Sequence, residues 1–211
     1  MDGVLIDSEG FWRLSMIEQF EKEGIHLTSE ECAQTKGRKI NEVVSYWNAL
    51  FDNRIKDEST IVNGIINGVC ELIKSKGETM FGIYESLQFL KQSGVRMAIA
   101  SSSSMRIIET VVDALQLGEF FDLVHSAEFE MNGKPHPAVF LTASQKLFLN
   151  TSECLVVEDS IYGLIAAKSA QIKCIVIPEK AELDDPRWVL ADAKYQHAKE
   201  INWGRILLAD F

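Results

Sequence analysis

Four stretches of this chain place polar side chains at or just beyond the end of an apolar run: "MDGVLIDS" at residues 1–8, "IASSSS" ending at Ser104, "GKPHP" around Lys134, and "VVEDS" ending at Ser160. Between them they offer carboxylates (Asp2, Glu158, Asp159), hydroxyls (Ser101, Ser102) and an ammonium (Lys134). Hard carboxylate oxygens suit Mg²⁺, while an ammonium and hydrogen-bond donors suit phosphoryl oxygens. The combination describes a magnesium and phosphate site. Glu158 and Asp159 are its sharpest signal. Adjacent acids commonly form a solvated turn, but these follow the apolar "CLVV", where a strand ends inside a protein and two carboxylates are costly without a cation. Ser101, first after "MAIA", is the serine of its run with a defined place, and the others read as turn. Lys134, between Gly133 and Pro135, is on its own compatible with an ordinary turn. His136, flanked by prolines, reads as shaping the loop rather than as base or ligand.

Elements must bring these stretches together. From Phe11 to about Lys76 the signals are helical. "FWRLSMIEQFEKEGI" carries Phe11, Leu14, Ile17 and Phe20 at three-residue steps with Gly24 as the stop; "INEVVSYWNALF" and "STIVNGIINGVCELIKSKG" repeat the apolar periodicity, with Ser59 as an N-cap candidate. After Gly77 short apolar runs ("VRMAIAS", "FDLVHSA", "ECLVVED", "KCIVIP") alternate with helical segments ("YESLQFLKQSG", "MRIIETVVDALQLG", "PAVFLTASQKLFL", "IYGLIAAKSAQ"). Such alternation indicates right-handed crossovers and a mainly parallel sheet covered on both faces. The expected fold is α/β, a Rossmann-like parallel-sheet core formed by residues 1–8 and 78–211 with a small α-helical cap inserted at 9–77. Ligands of such sheets bind beyond the carboxyl ends of the strands, where the four polar stretches fall.

Composition narrows the function. The 211 residues are 46% hydrophobic and 25% charged, ordinary for a globular protein. A net charge of −10 argues against a nucleic-acid partner, since phosphate backbones are held by clustered Lys and Arg. Any phosphorylated ligand must be met by cations gathered locally. The four cysteines (Cys32, Cys70, Cys154, Cys174) form no C-x-x-C pair and read as reduced thiols. No apolar run reaches the ~18 residues of a membrane span. A cytoplasmic monomer is expected.

Taken in order, "DGVLIDSE", "GKPHP" and "VVEDS" resemble the motifs of the haloacid dehalogenase superfamily, in the phosphatase and phosphomutase branch that carries a helical cap. "GRKINEVVSYW" and "DDPRWVLADAK" are similar to segments of its hexitol-phosphate and 2-deoxyglucose-6-phosphate phosphatases, with β-phosphoglucomutases as neighbours. The resemblance implies an Mg²⁺-dependent phosphatase acting on small phosphorylated sugars or sugar alcohols. In that mechanism one aspartate attacks phosphorus and a second, two positions on, serves as acid and base. Asp2 would be the second, with its backbone carbonyl on Mg²⁺. Ser101 and the Ser102 amide would bind phosphoryl oxygens, Lys134 would neutralise charge, and Asp159, supported by Glu158, would ligate the ion. Gly37, Arg38 and Lys39 would close over the substrate. The mutases carry histidine where this chain has Trp12, whose indole offers an apolar wall and cannot exchange protons, so the resemblance favours hydrolysis over phosphoryl isomerisation. A catalytically inactive phosphometabolite-binding relative is the remaining alternative. The family pattern Asp-x-Asp-Gly puts Met1 at x. The expectation is therefore that the nucleophile and its apolar strand belong ahead of Met1, and Asp7 is rejected as a substitute because it should lie beyond the turn.

Overall fold

The computed structural model describes residues 1–208; the last three residues of the expected 78–211 segment lie outside the described residues. Helices α1 (Glu9–Lys22), α2 (Ser29–Ala33), α3 (Ile40–Leu50) and α4 (Glu58–Lys76) come first. They pack around Phe20, Ile25, Val44, Ile65, Val69 and Ile73. The apolar face of α1 differs from the one expected. Leu14 is 61% exposed, whereas Met16 and Phe20 are buried. Steps of exactly three residues advance 300° around a 3.6-residue helix, so a stripe built on them walks off the packed face. At α4 the cap is Asp57 rather than Ser59: its Oδ1 accepts from the Ser59 and Thr60 amides at 3.1 and 3.3 Å. A carboxylate there also opposes the positive end of the helix.

Beyond Gly77 follow α5 (Ile83–Gln92), β1 (Ala98–Ser101), α6 (Met105–Ala114), β2 (Leu123–Ser126), α7 (Ala138–Lys146), β3 (Leu155–Glu158), α8 (Ile161–Ser169), β4 (Lys173–Val176), β5 (Ala193–Lys194) and α9 (Trp203–Leu207). Each apolar run singled out in the sequence contains a strand. β1 pairs in parallel with β2, and β3, β4 and β5 form a second parallel ladder. The fold is thus α/β with parallel strands among helices, as expected, the described strands forming two parallel ladders. Paired strands lie ~4.8 Å apart, and between β1 and β3 there is instead a cavity of about 630 Å³. Ala98 and Ala100 of β1, Leu155 and Val157 of β3, Leu87 of α5 and Phe140 of α7 line it. Ser101 and Glu158, the last residues of β1 and β3, nonetheless line one pocket, so the strand ends converge as α/β geometry requires.

Residues 1–6 form a tight turn at that edge. The Met1 carbonyl accepts from the Val4 and Leu5 amides at 3.2 and 2.7 Å, with Gly3 at φ +65°. Among the described residues no helix is long and apolar enough to cross a membrane.

Ile65 is fully buried within the helical layer. Ile65→Ala should lower unfolding stability by about 3 kcal/mol through lost transfer energy and a new cavity, whereas Leu14→Ala should stay within ~0.5 kcal/mol. Urea denaturation of the two variants checks both values.

Candidate active site

A pocket of about 80 Å³ lies where the strand ends meet the helical layer. Asp2, Ser101, Ser102, Lys134, Glu158 and Asp159 line it from below; Trp12, Gly37 and Arg38 line it from the helical side. Lys39 is the one sequence candidate outside the lining. Its Nζ reaches the Glu130 carbonyl at 3.1 Å and Glu42 at 3.7 Å, and its stem packs against Gly133. Asp7 is exposed and does not line the pocket.

Asp2 is held by three donors. Its Oδ1 accepts from Ser8 Oγ at 2.6 Å and Trp12 Nε1 at 2.9 Å, and its Oδ2 from Ser103 Oγ at 2.7 Å. Trp12 is therefore more than the expected apolar wall, since its N–H fixes the carboxylate. An indole nitrogen donates only, so it orients Asp2 without relaying a proton. Ser101 is buried, and its Oγ accepts from the Ser103 amide at 3.1 Å. Ser102 Oγ donates to the Gly37 carbonyl at 2.8 Å, which spends this hydroxyl on the helical side. Arg38 lies over the rings of Tyr46 on α3 and Tyr162 on α8, at 5.6 and 6.0 Å from their centroids.

The acids at the end of β3 take different partners. Lys134 Nζ forms a buried ion pair and hydrogen bond with Glu158 Oε1. Glu158 Oε2 accepts from the Asp159 amide at 3.2 Å, the Ser160 amide at 3.2 Å and Ser160 Oγ at 3.0 Å. Burial pushes the Glu158 carboxyl up, but the Lys134 ammonium, the amino-terminal charge and the Ser160 hydroxyl outweigh it and hold the group well below the usual carboxylate range. Ser160 Oγ also accepts from the Gly163 amide at 3.0 Å, capping α8. Asp159 behaves oppositely. Burial and the neighbouring Glu158 charge raise it above the usual carboxylate range against the pull of Lys36, whose Nζ stands 2.9 Å from Oδ2. Gly3 leaves room for this carboxylate: a Cβ there would lie 2.0 Å from Asp159 Oδ2.

Asp159 Oδ2 is buried and receives no well-directed hydrogen bond. Mg²⁺ commonly uses one or two protein carboxylates, completing its shell with water and substrate phosphate, and a buried carboxylate oxygen that already holds one cation, the Lys36 ammonium, fits that mode. Glu158, with both oxygens engaged, supports the site from behind. Among the described residues no cluster of three or more His, Cys, Asp or Glu is arranged to hold an ion.

Sequence reasoning missed Ser8, Ser103, Lys36 and Glu9, which also line or brace this pocket. Ser8 and Ser103 sit within quoted motifs, so testing each hydroxyl for reach would have found them. Glu9 has its carboxyl raised to about 8 by burial, with the charges of Asp159, Asp2 and Glu179 adding and Lys36 opposing.

Two predictions follow from these charges. Lys134→Met leaves Glu158 buried and unpaired and should cost about 3–5 kcal/mol, most of it recovered in the Lys134→Met/Glu158→Gln double variant; denaturant midpoints measure both. Glu9 binds its proton more tightly folded (about 8) than unfolded (4.5), so its contribution is full below pH 4.5 and is lost as pH rises through 8. Glu9→Gln should flatten the fall of melting temperature between those values.

The haloacid dehalogenase-like hydrolase family matches residues 1–177 of this chain. Hexitol phosphatase B of Escherichia coli (strain K12) is 32% identical over 202 residues, covering 95% of this chain and 91% of that protein. A phosphorylated carbohydrates phosphatase of Thermotoga maritima is 29% identical, covering 83% and 81% of the two chains. In fold, the β-phosphoglucomutase of Clostridium difficile superposes with a TM-score of 0.86 at 20% identity, covering 98% of this chain and 92% of that one. With parallel strands, converging strand ends and the motifs at those ends all in place, the chain belongs to the haloacid dehalogenase-like hydrolases.

Proposed function

We propose that this protein hydrolyses phosphoric monoesters of small sugars or sugar alcohols, with residues 9–77 acting as a cap over the substrate. The observation that carries the reading is the pocket in which Asp2, oriented by Ser8, Trp12 and Ser103, faces Ser101, Lys134 and Asp159. The hexitol and carbohydrate phosphatases among its relatives support the substrate class.

In the mechanism the family resemblance implies, an aspartate one residue ahead of Met1 attacks phosphorus, and the new P–O bond forms as the ester P–O bond breaks. Asp2 gives its proton to the departing alkoxide. As a carboxylate it then takes a proton from water, whose oxygen attacks the aspartyl-phosphate and releases inorganic phosphate. Lys134 and the Ser101 hydroxyl supply positive charge and a donor to the phosphoryl oxygens. Mg²⁺ against Asp159 would add neutralising charge at the same oxygens. The cavity between β1 and β3 suits an apolar strand carrying that nucleophile, since aliphatic side chains line both walls. Hydrolysis is favoured over isomerisation because Trp12 donates to Asp2 and cannot exchange a proton.

A chain extended ahead of Met1 by an apolar strand ending in Asp should release inorganic phosphate from p-nitrophenyl phosphate and from hexitol or hexose phosphates in Mg²⁺. EDTA should abolish this release. Asp2→Asn in that background should lower kcat by about 10²–10⁴-fold. Tight binding of sugar phosphates without turnover would identify a binding protein instead, and interconversion of glucose 1- and 6-phosphates would identify a mutase.

A further inference from the structure

Lys36 is a buried cation that none of the motifs points to. Its side chain is 7% exposed, and its Nζ stands 2.9 Å from Asp159 Oδ2, 3.3 Å from Glu182 Oε2 and 3.7 Å from Glu179 Oε2. Three carboxylates of the sheet layer thus surround one ammonium delivered by the helical layer. The next residue completes the contact: Gly37 is so close to Ser160 that a Cβ would lie 2.6 Å from its Oγ, and its carbonyl accepts from Ser102. The loop between α2 and α3 is docked on the strand ends, with Lys36 as its charged anchor.

Asp159 is also the carboxylate best suited to a divalent ion, as argued above. An ammonium and a divalent cation cannot both lie against one buried carboxylate oxygen without strong repulsion. Glu182, on the segment after β4, already accepts a hydrogen bond from the ammonium at 3.3 Å and Glu179 lies 3.7 Å from it, so both can hold it once Asp159 is taken. We propose that Lys36 is a latch: its ammonium holds the α2–α3 loop against Asp159 until a divalent ion takes that carboxylate, whereupon Lys36 passes to Glu179 and Glu182 and the loop loosens. The inference rests on Asp159 as the ion's carboxylate, the assignment made under the proposed function. It makes Lys36 a positioning residue that couples ion binding to access, and it requires no turnover.

Amide hydrogen exchange on the chain as it stands tests the latch. The amides of Lys36 and Arg38 bond to the Ala33 and Thr35 carbonyls within the loop, so their exchange reports how well the loop is ordered. Millimolar MgCl₂ should speed their exchange by at least about 5-fold, the lower end of ordinary coupling between sites. Lys36→Met should exchange as fast without the ion and no longer respond to it, whereas Lys36→Arg should remain slow and responsive. Asp159→Asn should also be fast and unresponsive, which keeps the test open if Lys36→Met folds poorly. Slow exchange in folded Lys36→Met and Asp159→Asn overturns the latch, as does calorimetric Mg²⁺ binding without any change in wild-type exchange. If Asp159→Asn still responds to Mg²⁺, the ion sits elsewhere and it is the assignment of Asp159 that fails.

Discussion

The buried pair between Lys134 and Glu158 is the interaction on which the rest of the site depends. A carboxylate at the inner end of β3 would be prohibitive alone, and the ammonium together with the donors on Glu158 Oε2 makes it tolerable. The same carboxylate organises its surroundings. It receives the Ser160 hydroxyl whose oxygen caps α8, and α8 approaches so closely that Gly163 has no room for a Cβ, which would lie 2.1 Å from Glu158 Cδ. With Glu158 satisfied from behind, Asp159 is left as the acid facing the pocket. Division of labour between two adjacent acids follows from which of them the lysine reaches.

Charge balance in the pocket is local. The protein carries a net charge of −10, yet Arg13, Lys36, Arg38 and Lys134 line the same pocket as Asp2, Glu9, Glu158 and Asp159. An anionic substrate entering here meets matched charges rather than the global field, which answers the objection that composition alone raises against a phosphorylated ligand.

Much of this was legible in the sequence, for identifiable reasons. The strands beginning at Ala98, Leu123, Leu155 and Lys173 are short apolar runs between helical segments, and burial on both faces leaves that imprint. Asp2, Ser101, Lys134 and Asp159 follow such runs or lie in loops beyond them, so topology alone brings them together. β5, two residues long, leaves no run to find. Lys36 was hidden because in "TKGRK" three cations compete, and only the docking of the loop decides that the first reaches Asp159 while Lys39 reaches Glu130. Trp12 was read as an apolar wall that cannot exchange protons, and a hydrogen bond to Asp2 ten residues away gives its indole a second role.

Glu42 has a wider effect than its surface position suggests. From α3 it accepts a hydrogen bond from the Gly133 amide at 3.3 Å while also drawing on Arg38 and Lys39 at 3.8 and 3.7 Å. Gly133 immediately precedes Lys134, so the segment presenting the key ammonium hangs from the helical layer as well as from the sheet. The loop carrying Lys134 is thus tied to the helical layer through the Glu42 carboxylate. A single carboxylate–amide contact, far from the pocket in sequence, thereby gives the place of that positive charge a second anchor on α3.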